Sequence, residues 1–473
     1  MAILPKGLLP TIPTTPISAI LPGLTLQCLS PPKQGRGKNR LRILVEPGSY
    51  SCLNMGDVAL LQVAVTRLSE LWPEAHIEVV TEAPARLQTY CPGVTPILAS
   101  GGRDWFDHFL IARKRRKLGT GLRSTLESCD SLLRDNLPSL YGSALALEMK
   151  LRRNGDPGTM RTFLDSLRLA DLVVLCGSGI FHDQFHERVT QLLNTLGMAI
   201  RLGTPVAMFS QGFGPVENLV LREQIRKVLP RMKLIALREK LIGPAFVAEM
   251  GVSKQNTVFT GDDTLELPFQ QRNESLGDGI GVGIRLTNYS QMDDNMVAPI
   301  QLALRKATEK YQACIVPVPI LLREESDSKA LRTLLLGCKI ASQDPSAVRS
   351  PADLIQQVGR CRVVVTGSYH SAIFALGQGI PVVAFAKSAY YRQKFAGLND
   401  HYGDGMQLVE LDSCDTQLLP AIEKAWESAA SLRPELLRIT RELIQRSRGA
   451  YAALAEVLSV SKNGHILLQD IGA

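Results

Sequence analysis

The feature that most constrains this chain is a rhythm: short β-branched apolar runs alternate with segments whose apolar residues recur at helical spacing. "LRILVE" (Leu41 to Glu46) reads as a buried strand, "DVALLQVAVTRLSELW" as a helix stopped by Pro73, and "HIEVVTEAP" as the next strand. A strand–helix–strand order of this kind requires a crossover, and therefore parallel pairing. The rhythm returns at "ADLVVLCGSG", "PVAMFSQGFGP", "KLIALRE" and "TVFTGDD", with helices between them. A second series opens at "IGVGIRL" and runs through "ACIVPVPIL", "RVVVTGS" and "IPVVAFA". The expected class is α/β, with two doubly wound, Rossmann-like domains facing across a cleft.

With 473 residues the chain exceeds what one ordinary core can bury. The predicted organisation is a flexible Pro-rich leader over 1–40, then an N-terminal α/β domain over 41–268 with a basic, leucine-rich helical insertion at about 101–160. A linker, "LPFQQRNESLGDG", leads to a C-terminal α/β domain over 278–415, followed by helices over 416–461 and a tail over 462–473. Lys and Arg number 53 against 45 Asp and Glu, a net charge of +8. Much of that excess is local, in the run Arg113 to Lys117, which reads first as a solvated face and second as a contact for an anionic partner. Nucleic acid is not expected as a partner. The nine cysteines are scattered singly, without a Cys-x-x-Cys, which points to a reducing compartment. No apolar stretch approaches the roughly 18 residues of a spanning helix, and prolines interrupt the apolar leader, so a cytoplasmic protein is expected.

In doubly wound sheets ligands bind beyond the carboxyl ends of the strands, so the corners there carry the chemistry. In "TGSYHSAIFALGQGIP", Ser368 or Ser371 can cap the helix that follows, and His370 projects at its start, suited to an anion or to a proton near neutral pH. A packed corner histidine is the plain alternative. In "NMGDVALL", Asn54 and Gly56 suit a turn, and Asp57 is either a helix cap or an acceptor for a substrate hydroxyl. In "CGSGIFHD", Gly177 and Gly179 allow close backbone approach, without the full dinucleotide pattern. His182 and His186 imitate a zinc-protease helix with Asp where Glu should stand; one is expected to face the cleft, the other solvent, and no metal site is predicted. "SQGFGP" offers Gln211 and Gly212 to a polyhydroxy ligand. Arg238 ends the strand of "ALRE", Arg285 ends that of "GIRL", and Lys387, Arg392 and Lys394 follow "VVAFA". A small anionic donor meeting a sugar-like acceptor fits this set.

Taken in order, "NMGDVALL", "CGSGIFHD", "SQGFGP", "IALRE", "GDDTLELP" and "TGSYHSAIFALGQGIPVVAF" resemble the motifs of the polysaccharide pyruvyl transferases, over roughly Leu41 to Gly397. The resemblance implies a glycosyltransferase-B-like fold, phosphoenolpyruvate as donor substrate with no cofactor, and a pyruvate ketal formed on saccharide hydroxyls during surface polysaccharide synthesis. It implies a saccharide or lipid-linked glycan as acceptor and leaves room for peripheral membrane association. By the resemblance His370 and Arg238 belong to the donor site, and Asn54, Gly56 and Asp57 to the first glycine turn. Asp57 joins His370 as a catalytic candidate; Arg238, Arg285, Ser368, Lys387 and Arg392 are donor-side candidates; Asn54, Gly56, Gly177, Gly179, Gln211 and Gly212 are acceptor-side ones. The family's Arg-Leu-His reads Ser368-Tyr369-His370 here. Losing a bidentate arginine contact costs about 1.5–3 kcal/mol unless another cation replaces it; Arg285, Lys387 and Arg392 are the expected substitutes. Two other readings stand beside this one. A nucleotide-sugar glycosyltransferase would need a ribose-binding carboxylate, for which Glu324, Glu325 and Asp327 are poor candidates. A non-catalytic glycan-binding protein would not need the missing arginine.

Overall fold

The computed structural model describes residues 40–111, 120–284, 297–323, 327–341 and 348–463. The leader, the run Arg113 to Lys117, Arg285, Glu324, Glu325 and most of the predicted tail lie outside the described residues.

The first half contains strands β1 (Arg42–Pro47), β2 (His76–Thr81), β3 (Thr95–Leu98), β4 (Leu172–Phe181), β5 (Val206–Phe213), β6 (Leu234–Leu237) and β7 (Thr257–Phe259). Its helices are α1 (Met55–Leu71), α2 (Pro84–Tyr90), α3 (Ala99–Asp107), α4 (Thr120–Asn136), α5 (Pro138–Arg152), α6 (Pro157–Leu169), α7 (His186–Arg201), α8 (Leu219–Val228), α9 (Gly243–Glu249) and α10 (Glu266–Gln270). The second half contains β8 (Gly279–Gly283), β9 (Ile315–Pro317), β10 (Cys361–Thr366), β11 (Val382–Ala386) and β12 (Met406–Glu410). With them run α11 (Val297–Tyr311), α12 (Asp327–Leu334), α13 (Pro351–Val358), α14 (Tyr369–Leu376), α15 (Ala389–Tyr402) and α16 (Cys414–Asn463).

The strand orders are β3-β2-β1-β4-β5-β6-β7 and β12-β11-β10-β8-β9, and every pair within them is parallel. The order reverses between β1 and β4 in the first sheet and between β8 and β10 in the second. Those two points open the crevices where an α/β sheet binds ligands, and the predicted corners after β1, β4 and β10 stand at them. One apolar core runs from α1 through α13 and α14 to the last helix and joins the halves; two others fill the outer faces of the two sheets.

The structure departs from the sequence reading in four places. β4 does not stop at its glycines but continues to Phe181. Gly177 takes φ +41° and Ser210, its neighbour on β5, takes φ +51°, so the strands bulge together and their register shifts just beyond. β9 is shorter than "ACIVPVPIL", because Pro317 and Pro319 lack the N–H that would extend its ladder. The expected linker begins as α10. The predicted C-terminal helices are one helix, α16, with Pro420 and Pro434 inside it.

α16 crosses from the second half back to the first and is held there by buried ion pairs. Arg67 of α1 meets Asp263 at 3.2 Å and Glu266 at 2.6 Å, and donates to Ser447 of α16 at 2.6 Å. Tyr451 donates to Asp263 at 3.0 Å, and Arg448 pairs with Glu266. Truncating Arg67 leaves the buried Asp263 without its cation and Glu266 with Arg448 alone, so Arg67→Met lowers stability by about 3–5 kcal/mol. Urea denaturation of the variant beside the unaltered chain measures this, and a loss under about 1 kcal/mol contradicts it.

Candidate active site

Asn54 begins the site. Its side chain accepts from the amides of Gly56 at 3.0 Å and Asp57 at 3.3 Å, so Asn54, and not Asp57, caps α1. Asn54 was expected to hold a substrate hydroxyl; its oxygen is instead committed to the helix start. Its backbone bridges to Leu321 of the second half, flanked by hydrogen bonds from Met55 to Ile320 and from Leu322 to Leu53, both 2.9 Å. Asp327 braces that segment by accepting from Ile320 and Leu321. It is therefore a structural carboxylate and not a ribose ligand.

These contacts bring α1 against α14 at Gly56. A Cβ built on Gly56 would lie 2.0 Å from Cγ of His370, so the imidazole sits directly on the glycine backbone and no larger residue fits there. His370 therefore faces the other half of the molecule, and Asp57 follows half-buried in the first turn of α1. The neighbouring Tyr369 ring is 5.5 Å away, edge on. Ser368 occupies the cap position of α14, but its side chain makes no capping bond; the turn is held by Thr366 Oγ1, which accepts from the Ser368 amide at 2.8 Å.

On Tyr369 the site continues into a recess lined by Gly179, Gly212, Arg238, Tyr390 and Lys394. It encloses about 20 Å³, room for one water molecule. Arg238 is buried, not the surface residue of an ordinary ion pair: its guanidinium stacks over the Tyr369 ring at 4.3 Å and meets Asp262 at 3.5 Å. Burial opposes its charge, but Tyr369 and Asp262 outweigh that effect and hold its pKa above the ordinary value. Tyr369 also donates to Asp262 at 3.2 Å. Lys394 enters from α15 of the second half, 4.1 Å from the centre of the Tyr390 ring, and Tyr390 fastens α15 by donating to the carbonyl of Gly179 at 2.7 Å. A Cβ on Gly179 would lie 2.6 Å from both Arg238 Nη2 and Lys394 Nζ. The two cations thus stand no more than twice that distance apart, one from each half. Gly179 and Gly212 are the floor that lets them approach, since a Cβ on Gly212 would collide with Arg238 Nε at 2.4 Å.

The sequence reading put His370 and Arg238 in one donor site, but the imidazole is not among the residues lining the cation recess; the two adjoin through Tyr369. Lys387 pairs with Asp412 at 3.6 Å and Arg392 with Glu410 at 3.1 Å, both on the open surface away from the recess. Neither lines the recess. Lys394, named in the same basic run, is the residue that reaches it. Gln211 was expected on the acceptor side, but it is fully buried and its amide donates to the Ser178 and Gly212 carbonyls at 2.8 and 2.6 Å, so its amide is committed to propping the β4–β5 bulge. Gly177 lies under the same bulge. His182 is buried against Tyr390, ring centres 4.8 Å apart, and His186 is exposed. Burial lowers the His182 pKa and Lys394 adds to the effect, against Asp183. No group of three or more metal-ligating side chains occurs among the described residues, and the eight cysteines among them are free.

Behind Arg238, His401 of α15 packs on Phe259 at 4.7 Å. Burial, with Lys240, pulls its pKa down from 6.5 to about 4. As the pH falls through that interval the unfolded chain takes up a proton that the folded chain refuses. Stability therefore drops by about 3 kcal/mol between the two values. Melting temperatures across this range should show the slope, and His401→Gln should flatten it; an equal slope in the variant contradicts the assignment.

A family model described as polysaccharide pyruvyl transferase matches residues 54–388. No match was found among curated proteins. Among solved structures, a provisionally assigned UDP-N-acetylglucosamine 2-epimerase from Listeria monocytogenes is similar at 12% identity, covering 90% of this chain and 98% of its own, with a TM-score of 0.52. UDP-GlcNAc 2-epimerase from Methanocaldococcus jannaschii is similar at 12% identity over 82% and 93%, with a TM-score of 0.50. At that identity the likeness concerns the fold, which is the two-domain glycosyltransferase-B type. The family match is of another kind. It starts at the Asn54 cap and runs through Gly179, Gly212, Arg238 and His370 to the threshold of α15: the chain belongs to the polysaccharide pyruvyl transferase family.

Proposed function

We propose that the chain transfers the pyruvyl group of phosphoenolpyruvate to two hydroxyls of a saccharide or lipid-linked glycan, leaving a pyruvate ketal, in the synthesis of surface polysaccharide. The observation that carries this reading is the convergence of Arg238 and Lys394, from opposite halves, over Gly179. Two cations so close, on a backbone floor, suit a small donor with phosphate and carboxylate groups. Ser368 cannot supply the charge of the family's arginine; Lys394 does so from another helix.

In this reading the donor's methylene carbon takes a proton and becomes a methyl group, leaving an oxocarbenium centre on the adjacent carbon. One saccharide oxygen bonds to that carbon and gives up its proton. The bond to the phosphate oxygen then breaks, its electron pair leaving with inorganic phosphate, which His370 protonates. The second hydroxyl adds to the same carbon, loses its proton and closes the ketal. His370 suits proton transfer better than Asp57, since an ionised carboxylate would repel the donor. The recess has space for one water, so admitting the donor requires α15 to draw back from Gly179, breaking the Tyr390 hydrogen bond. The reaction needs no cofactor beyond the donor, and belongs in the cytoplasm, where that donor is made.

Mass spectrometry of surface glycan from a strain lacking this chain tests the reading. Loss of the pyruvate increment is expected; an unchanged glycan would refute it.

A further inference from the structure

Lys394 enters the recess on a flexible stem, and aromatic rings surround its charged end. The ammonium stands 4.1 Å from the centre of the Tyr390 ring, 5.4 Å from that of Tyr369 and 5.8 Å from that of Tyr391. All three distances fall within the roughly 6 Å over which a ring face attracts a cation. Two of the rings come from the lysine's own helix. Tyr390 and Tyr391 precede Lys394 at the spacing that sets side chains on one face of α15, and their rings meet edge on, 5.3 Å apart, so they form a corner and not a stack. The third ring comes from α14. All three tyrosines are buried. The hydroxyl of Tyr369 is bound by Asp262 and that of Tyr390 by the carbonyl of Gly179, so both rings are anchored at their polar ends.

We propose that Tyr369, Tyr390 and Tyr391 form an aromatic cage that fixes the Lys394 ammonium over Gly179 before any donor arrives. Arginine presents a rigid planar fork, whereas lysine is a point charge on a flexible stem and needs a seat to hold one position. The seat is electrostatic as well as steric. Arg238 stacks over the Tyr369 ring at 4.3 Å, so this one ring serves a cation from each half, and its negative faces offset part of the repulsion between them. Asp262, 3.5 Å from Arg238, offsets more. The tyrosines are therefore positioning residues, which act on a donor through Lys394. What the ammonium is held for rests on the pyruvyl reading; that it is held does not.

Trace acetylation with acetic anhydride, read by mass spectrometry at each lysine, tests the cage without donor or acceptor. Lys227, whose side chain is 71% exposed, is the internal standard. In the unaltered chain Lys394 is expected to react at least about tenfold more slowly than Lys227. Tyr390→Leu keeps an apolar cover but removes the ring, and is expected to speed the reaction at Lys394 roughly fivefold over Tyr390→Phe, which keeps the ring. Tyr391→Leu and Tyr391→Phe repeat the comparison at the farther wall, with the same order expected, and serve if Tyr390→Leu folds poorly. Two results overturn the proposal: equal rates at Lys394 and Lys227 in the unaltered chain, or equal rates in the leucine and phenylalanine variants, as a purely structural role would give. Steady-state kinetics separates the cage from the pyruvyl reading. The KM for phosphoenolpyruvate is expected to be roughly fivefold higher in Tyr390→Leu than in Tyr390→Phe, with kcat in the two differing less than about twofold. A labelling difference without a KM difference upholds the cage and removes Lys394 from donor binding.

Discussion

Replacing His370 by alanine is expected to cut phosphate release from phosphoenolpyruvate, with acceptor present, by about 10²–10⁴-fold, the range of a lost general acid or base. The neighbouring positions on its own helix are Ser368 and Tyr369, and the ring packs on the backbone of Gly56. That packing supplies a second handle. A methyl group at residue 56 would fall 2.0 Å from His370 Cγ, so Gly56→Ala must push the ring out of line while every ionisable group stays. It should lower kcat by about 10²-fold and leave donor binding nearly unchanged. Near-normal turnover in His370→Ala would remove the histidine from the mechanism, and near-normal turnover in Gly56→Ala would show that its seat does not matter.

Lys394→Ala should raise the KM for phosphoenolpyruvate by roughly 10–150-fold, the equivalent of about 1.5–3 kcal/mol for a charge-assisted contact. Lys394→Arg should restore much of it, because the requirement is a cation at that point. Arg392→Ala, two residues earlier on α15, should change KM less than about twofold, since its partner is Glu410 on the open surface. A Lys394→Ala enzyme with the original KM would leave the Arg-Leu-His departure uncompensated.

The contrast between Arg392 and Lys394 also shows how far the sequence could be read. The alternation of apolar runs located both sheets, and the glycine corners marked the switch points, because strand and helix periodicities are local. Residues two apart on a helix point about 200° away from each other, so the choice between Arg392 and Lys394 depended on which side of α15 meets Gly179. Only the packing of the two halves decides that. Asn54 and Asp57 are both good capping residues, and sequence alone did not say which one the helix start would use. Gln211 read as a ligand contact because a glycine-flanked amide after a strand suits a sugar; the bulge at Gly177 and Ser210 turns it inward. Arg67, Asp263 and Ser447 are brought together from three distant parts of the chain, and no local pattern announces such a meeting.

In the proposed function, cations from both halves bind a small anionic donor over Gly179. Titration calorimetry of the chain with phosphoenolpyruvate, and separately with UDP and GDP, tests it most directly. Phosphoenolpyruvate is expected to bind, at least about tenfold more weakly in Lys394→Ala, with neither nucleotide bound. Tight binding of a nucleotide, or phosphoenolpyruvate affinity indifferent to Lys394, would contradict it.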